Sequence, residues 1–142
     1  MNMKRYLAVI PLLLVFLLLA ACQPGETPVV GKQVQAQGGA YTEINVNELQ
    51  SMLKDKDFVL VNVHIPFEGD IPNTDVSLPY DQIAQSLDQL PADKNTRIVL
   101  YCRSDRMSTI ASETLVGLGY TNVYNLDGGM IAWENAGLAL EK

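Results

Sequence analysis

Two short, almost uninterrupted apolar runs at residues 58–63 and 97–101 constrain the fold more than any other feature of the chain. Both are rich in Val, Ile and Leu and too short for a typical helix, which indicates strands buried on both faces of a parallel sheet. A third run at 123–126 predicts another such strand. Because segments with helical spacing alternate with these runs, the sequence predicts an α/β fold whose central parallel sheet has helices on both faces.

Apolar residues at helical spacing predict four helices. They are expected after Asn45 and over residues 80–90, 108–118 and 130–135. Asn45 and Glu48 have the spacing of a capping box, in which each residue caps the start of the helix for the other. On the third helix, the spacing predicts that Ile110, Leu115 and Leu118 face the core.

Cys102 directly follows the second apolar run and precedes the helix predicted over 108–118. The polar connection between them contains Arg103 and Arg106. The unpaired amides of a helix start, its partial positive charge and the two guanidinium groups all favour the thiolate form of a nearby cysteine. Since the thiolate is the nucleophile, Cys102 is predicted to be a chemical site and not an inert core thiol.

Three stretches of the chain form an ordered set of motifs. They are LVNVHIPFEGDIP at 60–72, YCRSDRMS at 101–108 and YTNVYNLDGGMIAW at 120–133. Together they resemble the single-domain rhodaneses, a family of thiosulfate-type sulfurtransferases, over residues 41–138. The resemblance implies a rhodanese-like sheet of about five strands. It also implies that Cys102 takes sulfane sulfur from a small donor as a persulfide and passes it to a thiol or a cyanide-like acceptor.

The loop after the cysteine supplies the substrate-binding residues that the resemblance implies, namely Arg103, Ser104, Asp105, Arg106 and Met107. Its backbone N–H groups are expected to surround the sulfur. Arg103 and Arg106 are expected to hold the donor anion; the alternative is that they are solvated surface arginines. Asp105 replaces a Gly found in many members; Asp tolerates positive φ, but its negative charge is expected to weaken donor binding. Met107 replaces an Arg and predicts an apolar rim, which counts against thiosulfate as the natural donor.

Other residues of the motifs have more ordinary interpretations. His64 is the only histidine, so it cannot form a histidine cluster for a metal, and neither a metal nor a cofactor is expected. We predict that it is a hydrogen-bonded structural residue. Glu68 and Asp70 lie in the same loop; the alternatives are that they line the mouth of the site or, as is usual for loop carboxylates, that they are merely solvated. Phe67 and Met130 are weaker candidates for the rim of the site.

Two other functional classes are compatible with a reactive cysteine in such a loop. A cysteine phosphatase or arsenate reductase would need an arginine six positions after the cysteine, where this chain has Ser108. The second alternative is a tethered rhodanese-like module that binds or senses sulfur with little turnover, and it stays open because a fold does not fix a function.

The amino terminus has the layout of a bacterial lipoprotein signal peptide over residues 1–21. A short basic segment and an apolar run lead to Leu-Ala-Ala before Cys22, which resembles a lipobox. Cys22 would then be the lipidated first residue, 22–40 a flexible tether, and 41–142 the rhodanese-like domain. An ordinary signal peptide or a plain membrane anchor is the alternative. The layout predicts a lipoprotein of the cell envelope that faces the periplasm or the cell exterior.

Charge and cysteine count narrow the choice of partners. The chain has 10 basic and 16 acidic residues; Lys4 and Arg5 are the only charged residues of 1–21, so the remainder has a net charge of −8. This acidity argues against nucleic acid or anionic lipid as a partner, so membrane attachment is expected to come from the lipid anchor. With Cys22 acylated, Cys102 is the only thiol and no internal disulfide can form. A monomer is expected.

Overall fold

The structure, a computed structural model, describes residues 31–142. Its strands are β1 Lys32–Ala36, β2 Gly39–Ile44, β3 Val59–Asn62, β4 Val76–Ser77, β5 Ile98–Tyr101 and β6 Val123–Leu126. They form one sheet in the order β1-β2-β6-β5-β3-β4. The β1–β2 pair is antiparallel and every other pair is parallel. The predicted α/β class is confirmed, with six strands where about five were expected.

Helices cover both faces of this sheet, as the sequence predicts. They are α1 Val46–Lys54, α2 Arg106–Gly117 and α3 Gly129–Asn135. The buried residues of α2 share one core cluster, and those of α1 and α3 share a second cluster built on the other face. The capping box at the start of α1 is present, because Asn45 accepts from the Glu48 backbone and Glu48 accepts from the Asn45 backbone. Within residues 31–142 no helix combines the length and apolarity needed to cross a bilayer.

The tether predicted over 22–40 is wrong for residues 32–40, which form β1 and the start of β2. Val34 and Ala36 alternate with polar residues and pack against the core, a period-two pattern that fits an edge strand. Gly38, with a φ of 97°, makes the turn between the two strands. The signal peptide, Cys22 and the remainder of the predicted tether lie outside the described residues.

The helix predicted over 80–90 is also wrong, since the chain forms two short 3₁₀ turns there, Ile83–Gln85 and Leu87–Gln89. The backbone leaves the helical region at Gln82 and Ser86, where φ is −115° and −116°, so the turns do not join. Single 3₁₀ turns are the usual structure of such short connections.

The buried face of α2 differs from the one that the sequence predicts. Leu115 is buried, but Ile110 and Leu118 are partly exposed. The face against the sheet consists instead of Ser108, Ala111, Ser112, Leu115 and Val116. These positions have helical spacing, but two are serines, whose polarity conceals the pattern in the sequence.

A buried tyrosine anchors the loop that follows β3 to the strand that precedes Cys102. The Tyr101 hydroxyl accepts from the Ile71 backbone N–H at 3.0 Å, contacts Thr74 Oγ1 at 2.7 Å and lies 3.1 Å from Asp70 Oδ1. Asn62 donates its amide to the same Asp70 oxygen at 2.9 Å. Burial raises the pKa of Tyr101, so its hydroxyl stays protonated and can donate to the Asp70 carboxylate at neutral pH. This network fixes the loop beside the end of β5.

We predict that Tyr101→Phe lowers the free energy of unfolding by about 1–3 kcal/mol, because it leaves the buried Ile71 N–H without an acceptor and removes one of the donors to the Asp70 carboxylate. Urea unfolding followed by Trp133 fluorescence measures the change. Tyr124→Phe is the matched control, since Tyr124 packs against the same core cluster but its hydroxyl forms no hydrogen bond within residues 31–142. Equal stability losses in the two variants would contradict this role of Tyr101.

Candidate functional site

Cys102 lies at the carboxyl edge of the parallel strands, directly after β5, and is 2% exposed. The start of α3 is hydrogen-bonded to the Cys102 loop. The Met130 N–H donates to the Cys102 carbonyl at 2.9 Å, and the Ile131 N–H donates to the Arg103 carbonyl at 3.0 Å. On the other side, α2 begins at Arg106. The thiol therefore sits between the ends of two helices.

Close contact between α3 and the loop depends on a glycine. Gly129 has a φ of 52°, and a Cβ at this position would overlap the carbonyl of Cys102. Gly128 also has a positive φ, of 73°. The two glycines thus form a turn with positive φ, which lets α3 approach the backbone of the nucleophile.

Two hydrogen-bond donors from residues 31–142 reach the sulfur. The Asp105 backbone N–H lies 3.1 Å from Cys102 Sγ, and the Ser108 Oγ lies 3.3 Å from it. The loop was expected to offer several backbone amides; it offers one amide and one hydroxyl. Both donors and the N-terminal end of α2 stabilise negative charge on Sγ. Ser108 Oγ also lies 3.0 Å from the Asp105 carbonyl, so its single proton is shared between that oxygen and the sulfur.

Asp105 directs its backbone toward the sulfur and its side chain toward the neighbouring turn. Its φ is 121°, which confirms that the position requires a positive φ, and its carboxylate accepts from the Gly128 N–H at 2.7 Å. Burial raises the pKa of Asp105, although the Gly128 hydrogen bond opposes this effect. The carboxylate thus joins the Cys102 loop to the start of α3, a structural contact that the sequence did not reveal.

Arg103, predicted to hold the donor, has its guanidinium paired with the Glu68 carboxylate. Glu68 Oε1 also lies 3.5 Å from His64 Nε2. Desolvation would raise the pKa of Glu68, but the contacts with Arg103 and His64 outweigh it and lower the pKa, so Glu68 is ionised at neutral pH. The alternative that Glu68 is merely solvated is therefore wrong. Arg103 and Glu68 are 35 residues apart in the sequence, so no local sequence pattern predicts that they pair.

His64 occupies the end of the loop nearest to β3. Its backbone N–H donates to Asn62 Oδ1 at 3.0 Å, a contact that does not involve the imidazole ring. Neither imidazole nitrogen forms a hydrogen bond within residues 31–142, and both are buried. The contact with Glu68 is therefore the polar interaction of the ring in this part of the chain.

The remaining predicted site residues differ in how far they reach solvent. Ser104 and Arg106 are exposed, and Arg106 forms no ion pair with a carboxylate of residues 31–142. Met107 is partly buried and packs against the core under α2, so only part of it is available to a rim. Met130 is fully buried, and its predicted place on the rim is wrong. Phe67 is exposed, as a rim residue must be.

This arrangement suits transfer chemistry at sulfur better than phosphate chemistry. The position six residues after the cysteine, where a phosphatase needs arginine, is Ser108, whose hydroxyl contacts the sulfur. The exposed loop carries one arginine without a carboxylate partner among the described residues, and the Cys102 sulfur, with two donors within reach, lies beneath it.

Comparison with known proteins places this geometry in a family. A sulfurtransferase from Allochromatium vinosum is 37% identical over 102 residues, which cover 69% of this chain and 92% of that protein. A tRNA uridine(34) hydroxylase from Erwinia tasmaniensis is 32% identical over 101 residues, but they cover only 28% of that protein. The crystal structure of a rhodanese-like domain protein from Staphylococcus aureus superposes with a TM-score of 0.59 at 30% identity, covering 70% of this chain and 98% of that one.

These similarities support sulfur transfer as the general chemistry of the domain. The sequence model of the rhodanese-like domain matches residues 45–136, which include the capping box of α1, the Cys102 loop and α3. The chain therefore belongs to the rhodanese-like family.

Proposed function

We propose that this protein is a membrane-tethered, extracytoplasmic sulfurtransferase that moves sulfane sulfur through a persulfide on Cys102. The observation that carries the proposal is the pair of donors at the sulfur, the Asp105 N–H and the Ser108 hydroxyl, at the start of α2. These groups stabilise the thiolate before the reaction and the sulfur anion formed on it afterwards. The similarity to a sulfurtransferase over most of both chains supports the same chemistry.

The reaction has two balanced steps. The Cys102 thiolate attacks the outer sulfur of the donor, a new S–S bond forms, and the remainder of the donor leaves with the electron pair of the broken bond. A thiol or cyanide-like acceptor then attacks the outer sulfur of the persulfide, and the thiolate is regenerated. Arg106, exposed at the first position of α2, is the cation available to the donor anion, and Ser104 lies in the same exposed loop.

The proposed tether rests on the sequence before the domain. Cys22 is the lipidated residue, and β1 begins at Lys32, so the connection between anchor and domain is shorter than residues 22–40. Ten residue steps lead from Cys22 to Lys32, and a chain of this length spans at most roughly 36 Å. The domain is therefore held close to the membrane surface.

The first prediction from this proposed function concerns the nucleophile. We expect a sulfane donor to add one sulfur atom to the protein, at Cys102, and we expect Cys102→Ala to lose the adduct and a reductant to remove it. Intact mass spectrometry and peptide mapping measure the sulfur adduct.

Ser108→Ala should slow persulfide formation by about three- to tenfold, because it removes one hydrogen bond to the sulfur anion. A wild-type protein that gains no sulfur from several donors would favour the binding or sensing module instead.

A second prediction separates the charge of Asp105 from its structural role. Asp105→Asn retains an oxygen for the Gly128 N–H but removes the partly buried charge. It should raise the rate constant kcat/KM for thiosulfate by about three- to tenfold, since it removes a negative charge beside the donor. Asp105→Gly should also raise it, whereas Asp105→Ala, which loses the Gly128 contact and keeps the backbone strain, should be less stable than the wild type.

The same variant has a pH signature. Because the pKa of Asp105 is raised in the folded protein, folding favours the protonated form of this carboxyl group. The stability that the group contributes is therefore present in acid, and it is lost as pH rises through the raised pKa. Asp105→Asn should therefore be more stable than the wild type at pH 7, and the difference should vanish below about pH 3. Parallel urea-unfolding curves at the two pH values test this. Equal stability at pH 7 would contradict it.

A further prediction concerns the anchor. Cys22→Ser should release the protein from the membrane fraction while the fold of residues 41–142 is retained, because Cys22 precedes the first strand of the domain, which begins at Lys32. Fractionation and lipid-mass analysis of the amino-terminal peptide measure the effect. Wild-type protein found soluble, with an unmodified Cys22, would refute the lipoprotein.

A further inference from the structure

The positive charges of the Cys102 loop are offset by neighbouring carboxylates. Arg103 and Arg106 are the two cations of the loop, while Glu68 and Asp105 are the two carboxylates attached to it by the Arg103 ion pair and by the loop backbone. The four groups have a net formal charge of zero. Because Arg103 is already neutralised by Glu68, a donor anion meets one cation, Arg106, that has no carboxylate partner within residues 31–142. This is a poor environment for a dianion and a sufficient one for a monoanion.

Two exposed apolar side chains adjoin this mouth from different elements. Phe67 is 58% exposed and immediately precedes Glu68, the residue that pairs with Arg103. Ile131 is 38% exposed, and its backbone N–H donates to the Arg103 carbonyl at 3.0 Å. Ile131 is thus bonded to Arg103, the neighbour of the nucleophile, through its backbone, and Phe67 is linked to Arg103 through the adjacent Glu68. Large exposed apolar side chains gain free energy when a ligand covers them, and those at the mouth of a site can bind the apolar part of a substrate.

We propose that Phe67 and Ile131 are specificity-determining residues which make the Cys102 site select a monoanionic organic sulfane donor, one with an apolar group, over dianionic thiosulfate. The inference rests on the proposed function, since it names the substrate class of the same thiolate. The apolar group covers Phe67 and Ile131, and the single negative charge faces Arg106.

An organic thiosulfonate, R–SO₂–S⁻, has this chemistry. The Cys102 thiolate attacks the terminal sulfur, and the bond between Sγ and that sulfur forms while the S–S bond of the donor breaks. The electron pair leaves on the sulfinate, R–SO₂⁻, so the thiolate is oxidised to a persulfide and the donor is reduced to the sulfinate. One negative charge stays on the persulfide and one departs with the sulfinate. The step requires no proton and no further oxidant.

Benzenethiosulfonate and methanethiosulfonate make a matched pair of probes, because they share charge and reactive group and differ in the apolar part. We expect persulfide formation on the full-length wild-type protein to be about tenfold more efficient with benzenethiosulfonate, as one covered apolar group commonly discriminates by this factor. Thiosulfate should be the least efficient of the three donors. Rapid quenching followed by intact mass spectrometry gives the second-order rate constants.

The variants assign the preference to residues. Phe67→Ser and Ile131→Ser should each lower the benzene-to-methane ratio by about three- to tenfold. Leu118→Ser is the control, since Leu118 is 37% exposed but follows the other end of α2, and it should leave the ratio unchanged. Glu68→Gln, which frees Arg103, should raise the rate with thiosulfate relative to methanethiosulfonate, whereas Glu134→Gln on the exposed side of α3 should not.

The outcomes separate this inference from the function on which it rests. A benzene-to-methane ratio near one, or a ratio that Phe67→Ser and Ile131→Ser leave unchanged, would refute the specificity while persulfide formation still supported the sulfurtransferase. Thiosulfate as the most efficient donor of the wild type would refute it as well. A protein that forms no persulfide with any of the three donors would contradict the proposed function and the inference with it.

Discussion

Parallel pairing of β3, β5 and β6 brings three loops to one edge of the sheet, and the candidate site is built from these loops. The register pairs Asn62 of β3 with Tyr101 of β5, and Leu100 of β5 with Asn125 of β6, so the strands end at nearly the same height. The loop after β3 supplies Phe67 and Glu68, the loop after β5 supplies the nucleophile, and the turn after β6 leads into α3. A one-residue slip in either pairing would turn alternate side chains to the opposite face and separate these loops.

The space between α2 and the sheet is unusually polar for a core. Ser108, Ser112 and Asn125 are completely or almost completely buried, and Ser108 uses its hydroxyl on the sulfur. The Ser112 hydroxyl and the Asn125 amide form no hydrogen bond within residues 31–142. A buried polar group without a hydrogen-bond partner costs about 1–3 kcal/mol. These groups therefore lower the free energy of unfolding on the side of α2 that faces Cys102. A purely apolar α2 would pack better but could not donate to the thiolate.

The sequence predicted the elements whose signals are local. Continuous apolar runs located β3, β5 and β6 to within a residue, and the spacing of Asn45 and Glu48 located the start of α1. Predictions failed where a tertiary contact decided the outcome. The β1 strand needs the edge of β2, the face of α2 includes two buried serines, and the residues over 80–90 follow the surface of the domain in separate turns. Within the site, the loop and its cysteine were predictable, but the pairing of Arg103 with Glu68 was not, because it joins residues far apart in sequence.

The antiparallel direction of β1 determines where the chain enters the domain. Lys32 is paired with Glu43, near the carboxyl end of β2, and the next residue of β2, Ile44, is paired with Leu126 at the carboxyl end of β6. The first residue of the hairpin therefore emerges at the same edge of the sheet as Cys102. Had β1 been absent, or had it run parallel to β2, the entry point would lie at the opposite edge. If Cys22 carries a lipid, that anchor is thus joined to the domain at the edge of the sheet that carries the Cys102 loop, and not at the opposite edge.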